Sequence, residues 1–217
     1  METLSELLPL LGIAGALAVG TVTPGPSFVL IARTAVAAGR ADGLAASIGM
    51  GIGGVTFTLL ALIGLQGLML NLPLLYFAFQ IVGGGYLIYL GLRIWRGATE
   101  ALPETLTPRV ASRHSLARAL VLGLATQLSN PKAAIVYAAI FAAFLPQGTT
   151  LEIGGLIVIL VFILETGWYA LVTLAMSAEG PRLAYLRGKS WIDRLAGGVM
   201  ISLGLRLALY AESPGGG

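Results

Sequence analysis

Two residues of this chain carry the chemistry of a site and lie where no water-facing surface explains them. Lys132 and Glu165 each interrupt a long apolar run. Lys132 follows Arg118 by 14 residues and Glu165 precedes Glu179 by 14, which on a helix is roughly 21 Å from the nearer charged end. From the middle of a hydrocarbon layer about 30 Å thick, neither side chain reaches the interface by snorkelling. Charges at that depth face the bundle interior or water and pair with something. The two are expected to form an ion pair or to compete for a charged substrate; the plainer alternative is that they lock two helices together.

Two short motifs place unpaired backbone near these charges: "TVTPGPSF" at 21–28 and "SNPK" at 129–132. Proline lacks the N–H of the helical ladder and pushes away the carbonyl four residues back. Pro24 and Pro26 therefore free the carbonyls of Gly20 and Val22, Pro131 frees that of Gln127, and Gly25 is expected to allow sharp backbone dihedrals between its prolines. In hydrocarbon each unpaired group costs several kcal/mol, so broken backbone survives only against protein or a water-filled cavity. The candidate substrate-binding residues are Pro24, Gly25, Pro26, Ser27, Asn130, Pro131, Lys132, Glu165 and Trp168. Helix N-termini at the breaks would face a carboxylate, while freed carbonyls and Glu165 would receive an ammonium group. Trp168 and Tyr169 could instead be bundle core, and the prolines simple packing kinks.

The elements that must hold these residues follow from composition. The chain is 57% hydrophobic and 11% charged, with mean hydropathy +0.89; a soluble domain carries roughly 25% charged residues. A single all-α integral membrane domain over 1–217 is expected. A net charge of +3 gives no reason to expect nucleic acid, and the absence of cysteine removes thiolate metal sites and cysteine nucleophiles. Glu2 and Glu6 without a basic residue argue that the first apolar run is a permanent span rather than a cleaved leader. A span needs about 20 apolar residues. The runs 7–32, 43–92, 119–145, 153–178 and 191–211 supply six, the second run being folded into two spans by a hairpin near Gly67–Pro73.

With the N-terminus outside, 11 of the 13 Lys and Arg fall in inner segments, so the positive-inside rule predicts both termini outside. His114, the only histidine, reads as a surface residue of the basic loop. "GMGIGG" at 49–54 reads as helix packing through Gly49 and Gly53. The chain also echoes itself: a shift of 113 aligns Gly84, Gly85, Leu90, Gly91, Leu92 and Arg93 with Gly197, Gly198, Leu203, Gly204, Leu205 and Arg206. A weaker echo sets Pro26 against Pro131. Three spans per copy force the second copy to enter from the opposite face, giving a 3+3 inverted-topology repeat with helices 1 and 4 broken. Repeat one covers about 5–96, a cytoplasmic loop about 97–117, and repeat two about 118–211. Arg206 then caps the outer end of span six as Arg93 caps the inner end of span three.

With these motifs in order, the chain resembles the lysine exporter family of amino-acid translocators, the LysE/RhtB type, over about residues 10–210. The resemblance rests on Thr23–Pro26, Arg33 and Gly39–Arg40, Gly49–Gly54, Asn130–Lys132, and Gly198–Leu207, together with "YLIYLGLR" in span three. It implies a multi-pass exporter of amino acids in a bacterial-type inner membrane, working by alternating access and proton antiport. It implies no cofactor; the partners expected are the amino acid, protons and the lipid bilayer, with assembly into homo-oligomers left open. The family commonly shows Gly-Asp where this chain has Gly53-Gly54. If that acid couples protons, Glu165 is the natural replacement. Rival readings are a small cation or metal-ion transporter using the freed carbonyls and Glu165, and, remotely, an intramembrane enzyme built on Ser129 and Lys132. Few carboxylates, one histidine and the nearby Lys132 weigh against the first.

Overall fold

The computed structural model describes residues 2–99, 115–145, 148–209 and 211, and these are helical throughout apart from short connections. The helices are α1 (Glu2–Val22), α2 (Pro26–Ala37), α3 (Arg40–Asn71), α4 (Pro73–Arg96), α5 (Leu116–Leu128), α6 (Pro131–Phe144), α7 (Leu151–Met176) and α8 (Glu179–Leu209), with one 3-10 turn at Gly97–Thr99. Most of the basic loop, including Arg109, Arg113 and His114, lies outside the described residues.

Local chemistry explains where these helices start. Pro26, Pro73 and Pro131 each open a helix, where the missing N–H would have no intrahelical partner anyway. Asn130 caps α6 by accepting from the Lys132 amide, Ser115 caps α5, and Thr150 caps α7. Each proline motif is thus the end of one helix followed by a proline-led start of the next. Thr23–Gly25 separates α1 from α2, whose axes meet at a 58° bend. Gly25 itself is extended, at φ −156° and ψ −168°, a conformation open to any residue. Its dihedrals, against expectation, do not call for glycine; the space beside Lys132 does.

Only Leu72 separates α3 from α4, inside the tight hairpin expected near Gly67–Pro73; one boundary differs from the sequence expectation. The last helix starts at Glu179 rather than near Trp191, making residues 182–194 helical instead of a loop. Pro181 falls in its first turn, where it is tolerated, and Lys189 binds Asp193 at 2.7 Å across one turn.

Three helices are individually long and apolar enough to cross a membrane: residues 40–64, 74–99 as one run, and Leu151–Met176. The bent pair of α1 and α2 makes a fourth, while α5 and α6 are shorter apolar helices. Large hydrophobics such as Leu60, Ile63, Val82 and Ile163 point outward, as a hydrocarbon solvent permits.

Between lipid-like surroundings and an apolar core, helices associate through close packing at small residues. On α3, a methyl added at Gly49 would strike the Leu120 carbonyl, and one at Gly123 of α5 would strike that of Ala46. Gly53 faces the Gln127 side chain, so the GxxxG pair is a packing device that fixes Gln127. The α4–α8 contact is reciprocal. A Cβ at Gly84 would lie 2.7 Å from the Gly204 carbonyl and one at Gly204 2.5 Å from that of Gly84; Gly91 and Gly197 meet in the same mutual way, at 2.6 and 2.7 Å. Gly91→Ala should therefore destabilise the purified protein by about 1–3 kcal/mol through overpacking. Gly85→Ala, with nothing within 4 Å of its added methyl, should be neutral in the same thermal-unfolding measurement in detergent.

Candidate functional site

The polar interior is assembled at the two helix breaks. Thr21 ends the α1 side, Ser27 begins α2, Gln127 ends α5, Asn130 caps α6, and Tyr137 and Glu165 face them from α6 and α7; all are buried. Glu165 Oε1 accepts from Thr21 Oγ1 at 3.1 Å and from the Tyr137 hydroxyl at 2.8 Å. Its Oε2 accepts from Gln127 Nε2 at 3.3 Å. Gln127 Oε1 in turn accepts from Ser27 Oγ at 2.7 Å, and Ser27 Oγ accepts from Asn130 Nδ2 at 2.9 Å. The network runs unbroken from one proline motif to the other and ends on the carboxylate. Buried polar groups on such a chain strengthen one another, and losing one leaves its neighbours unpaired.

Lys132 takes a different position. Its ammonium donates to the Thr23 carbonyl at 2.7 Å and the Gly20 carbonyl at 3.2 Å. Gly20 is the carbonyl freed by Pro24, and Thr23 O loses its helical partner because α1 stops there. The side chain lies across Gly25, where an added Cβ would sit 3.3 Å from Lys132 Cδ and 3.4 Å from Nζ. The glycine between the prolines makes room for the lysine. Lys132 and Glu165 are not a direct ion pair, since both are occupied by neutral groups.

Two cavities flank this lysine. A vestibule of about 470 Å³ is walled by Thr23, Pro24, Gly25 and Pro26 from the first break, Asn130, Pro131 and Lys132 from the second, and Arg93, Lys189 and Asp193. A second cavity of about 20 Å³, little more than one water's room, is lined by Gly20, Thr21, Gln127, Asn130, Lys132, Tyr137, Glu165 and Tyr169. Lys132 and Asn130 line both.

Of the residues singled out from the sequence, Pro24, Gly25, Pro26, Asn130, Pro131 and Lys132 line the vestibule, Ser27 joins the network, and Glu165 lies in the small chamber. Trp168 is not brought to either cavity. It packs against the apolar cluster of Phe28, Ile31, Met50, Tyr169, Val172 and Met176, of which Tyr169, the next residue on α7, also lines the small chamber. Ser129 is exposed while Lys132 turns to the α1 carbonyls, so the two form no Ser–Lys couple. Sequence reasoning passed over Thr21, Gln127 and Tyr137 as side chains, as well as Lys189 and Asp193. Gln127 had a signal, as an uncharged amide in an apolar run; Tyr137 had none short of its contact with Glu165.

Gly54 also acquires a place. A Cβ there would lie 2.7 Å from the Tyr137 hydroxyl and 3.0 Å from Glu165 Cγ. A side chain at position 54 and the Glu165 carboxylate would thus compete for one spot.

A helical bundle with broken apolar helices around a closed polar core is the build of a membrane carrier rather than of a soluble receptor. The family model for LysE type translocators matches residues 18–211. The chain belongs to that family and is a transporter, not an enzyme. It is 30% identical over 195 residues to the threonine efflux protein of Escherichia coli K12, covering 88% of this chain and 93% of the relative. Similarity extends to the threonine efflux protein of Salmonella typhi at 27% over 191 residues, covering 88% and 93%, and to the leucine efflux protein of Salmonella choleraesuis at 30% over 125 residues, covering 57% of each chain. No solved structure matches.

Tyr137→Phe removes one donor to Glu165 and should lower stability by about 1–2 kcal/mol, read by thermal unfolding. Gly54→Asp should be far more disruptive, because its carboxylate would meet Glu165. Adding Glu165→Gly to Gly54→Asp should recover much of the lost stability, and failure to recover any would show that the two positions do not share one space.

Proposed function

We propose that the chain is a secondary transporter that exports amino acids or close derivatives across a bacterial inner membrane by alternating access, coupled to protons. The observation that carries this reading is a single vestibule walled by both helix breaks, with a buried carboxylate just behind it. Family membership and the names of the efflux relatives support the substrate class and the outward direction.

The architecture underlying the proposal is six spans in a 3+3 inverted repeat within one membrane domain. In it, α1 with α2 and α5 with α6 form the two broken spans, α3, α4, α7 and α8 the rest, and both termini lie outside. The mutual α4–α8 glycine contacts support the repeat. Glycines matched by the 113-residue shift exchange places across the contact, Gly84 meeting Gly204 and Gly91 meeting Gly197, as a local two-fold axis requires. Arg93, Lys189 and Asp193 among its walls support an opening on the basic, inner side.

The chemistry suits a zwitterion. The N-termini of α2 and α6 converge on the vestibule wall and offer partial positive charge to a carboxylate. The Gly20 and Thr23 carbonyls and Glu165 form the acceptor side for an ammonium group. A metal-ion carrier fits less well, because Thr21, Tyr137 and Gln127 all aim hydrogens at Glu165, which is how a protein holds an anion and not how it presents ligands to a cation. Glu165 is the proposed proton-coupling group, since a proton is the smallest charge that can neutralise it without opening the chamber.

Purified protein in liposomes should exchange labelled amino acids, and a pH gradient should drive net uptake. Divalent-cation uptake without amino-acid exchange would instead establish the metal reading. Glu165→Gln retains hydrogen bonding but takes no proton; it should abolish the response to the gradient while leaving the protein folded. Gradient-driven transport unchanged in that variant would remove Glu165 from coupling.

A further inference from the structure

The proposed function leaves one group unexplained: a lysine ammonium spends its charge on two neutral carbonyls instead of on the carboxylate nearby. The carbonyls of Gly20 and Thr23, 3.2 and 2.7 Å from Lys132 Nζ, are the acceptors that a substrate's ammonium group would seek. Lys132 also stands between the vestibule and the Glu165 chamber, lining both. One residue of the vestibule wall holds an unsatisfied, buried acceptor. Asp193 is buried, its Oδ2 binds Lys189 at 2.7 Å, and its Oδ1 has no hydrogen-bond partner. A buried carboxylate oxygen without a partner is costly and rare.

From this geometry we propose that Lys132 is a tethered stand-in for the substrate's primary ammonium group. It holds the Gly20 and Thr23 carbonyls when the site is empty and swings to Asp193 Oδ1 when an amino acid arrives. This rests on the amino-acid reading above and deepens it by assigning the ammonium subsite. The exchange is one of like for like: one primary ammonium replaces another on the same two carbonyls, so neither the empty nor the loaded carrier leaves freed backbone unpaired in the membrane. A station for the displaced lysine is needed because a second buried ammonium beside the first would repel it, and Asp193 supplies the opposite charge. The glycine at position 25 leaves the lysine stem room that any side chain there would crowd.

The chain contains no cysteine, so Lys132→Cys can be modified at that position alone. Treatment with aminoethyl methanethiosulfonate rebuilds a primary ammonium on a chain of similar length, and the ethyl reagent builds its uncharged counterpart. The aminoethyl adduct should regain thermal stability and amino-acid exchange, and the ethyl adduct should regain neither. Unmodified Lys132→Cys should be stabilised by millimolar methylammonium, which should leave the wild-type protein unaffected. Should the cysteine variant fold poorly, Asp193→Asn in the otherwise native chain gives a second reading, with binding of amino acid weakened several-fold in the fraction that stays folded, beyond the lower stability expected from losing the Lys189 ion pair. Equal behaviour of the two adducts, no methylammonium effect and unaltered binding in Asp193→Asn would overturn the proposal. The methylammonium measurement involves no transport, so it separates failure of this subsite from failure of the amino-acid reading, which wild-type exchange tests by itself.

Discussion

The structure depends on how a chain inside hydrocarbon satisfies backbone that it has deliberately broken. Where α1 stops at Val22, carbonyls lose their helical partners, and the surrounding hydrocarbon offers none to replace them. The replacement comes from the other half of the chain: the Lys132 ammonium binds the Gly20 and Thr23 carbonyls across more than a hundred residues. Once the lysine is committed there, the rest of the polar interior must organise around Glu165 with neutral donors. Thr21, Tyr137 and Gln127 provide them. Each break is thus stabilised by residues of the other, which ties the two motifs into one unit.

That mutual dependence constrains the scaffold. Gln127 can reach Glu165 only if α5 lies close on α3, and Gly49, Gly53 and Gly123 provide the close approach. Tyr137 needs the space that Gly54 leaves empty. The α4–α8 pair, joined through four glycines, contributes Arg93, Lys189 and Asp193 to the vestibule from one end. Small residues are therefore placed where a side chain would force apart the helices that carry the polar network, and large apolar residues such as Ile63 and Val82 are left for the surrounding hydrocarbon.

Much of this was legible in the sequence because membrane backbone obeys strict rules. Proline in an apolar run signals a helix end, so the ends of α1 and α5 and six residues that line the vestibule could be picked out directly, and Glu165 stood out as a charge at depth. What could not be read were choices among equally sensible partners. Lys132 and Glu165 suggested an ion pair, yet the nearer carbonyls claimed the lysine. Trp168 and Tyr169 are adjacent, and the rotation of α7 alone decides which faces the chamber. Gly25 looked like a dihedral requirement and is a requirement for room. The extension of α8 back to Glu179 was hidden because its first turns are too polar for a span, though not for a helix.

The central claim is that both breaks open onto one water-accessible vestibule reached from a single side of the membrane. The native chain has no cysteine, so single cysteines at positions 26 and 131, both exposed in the vestibule wall, report on that directly. Both should react with a membrane-impermeant thiol reagent added to the inner face, and added amino acid should slow both reactions. Cysteines that ignore the reagent from that face, or that react only with lipid-soluble reagents as Val82→Cys should, would contradict the account.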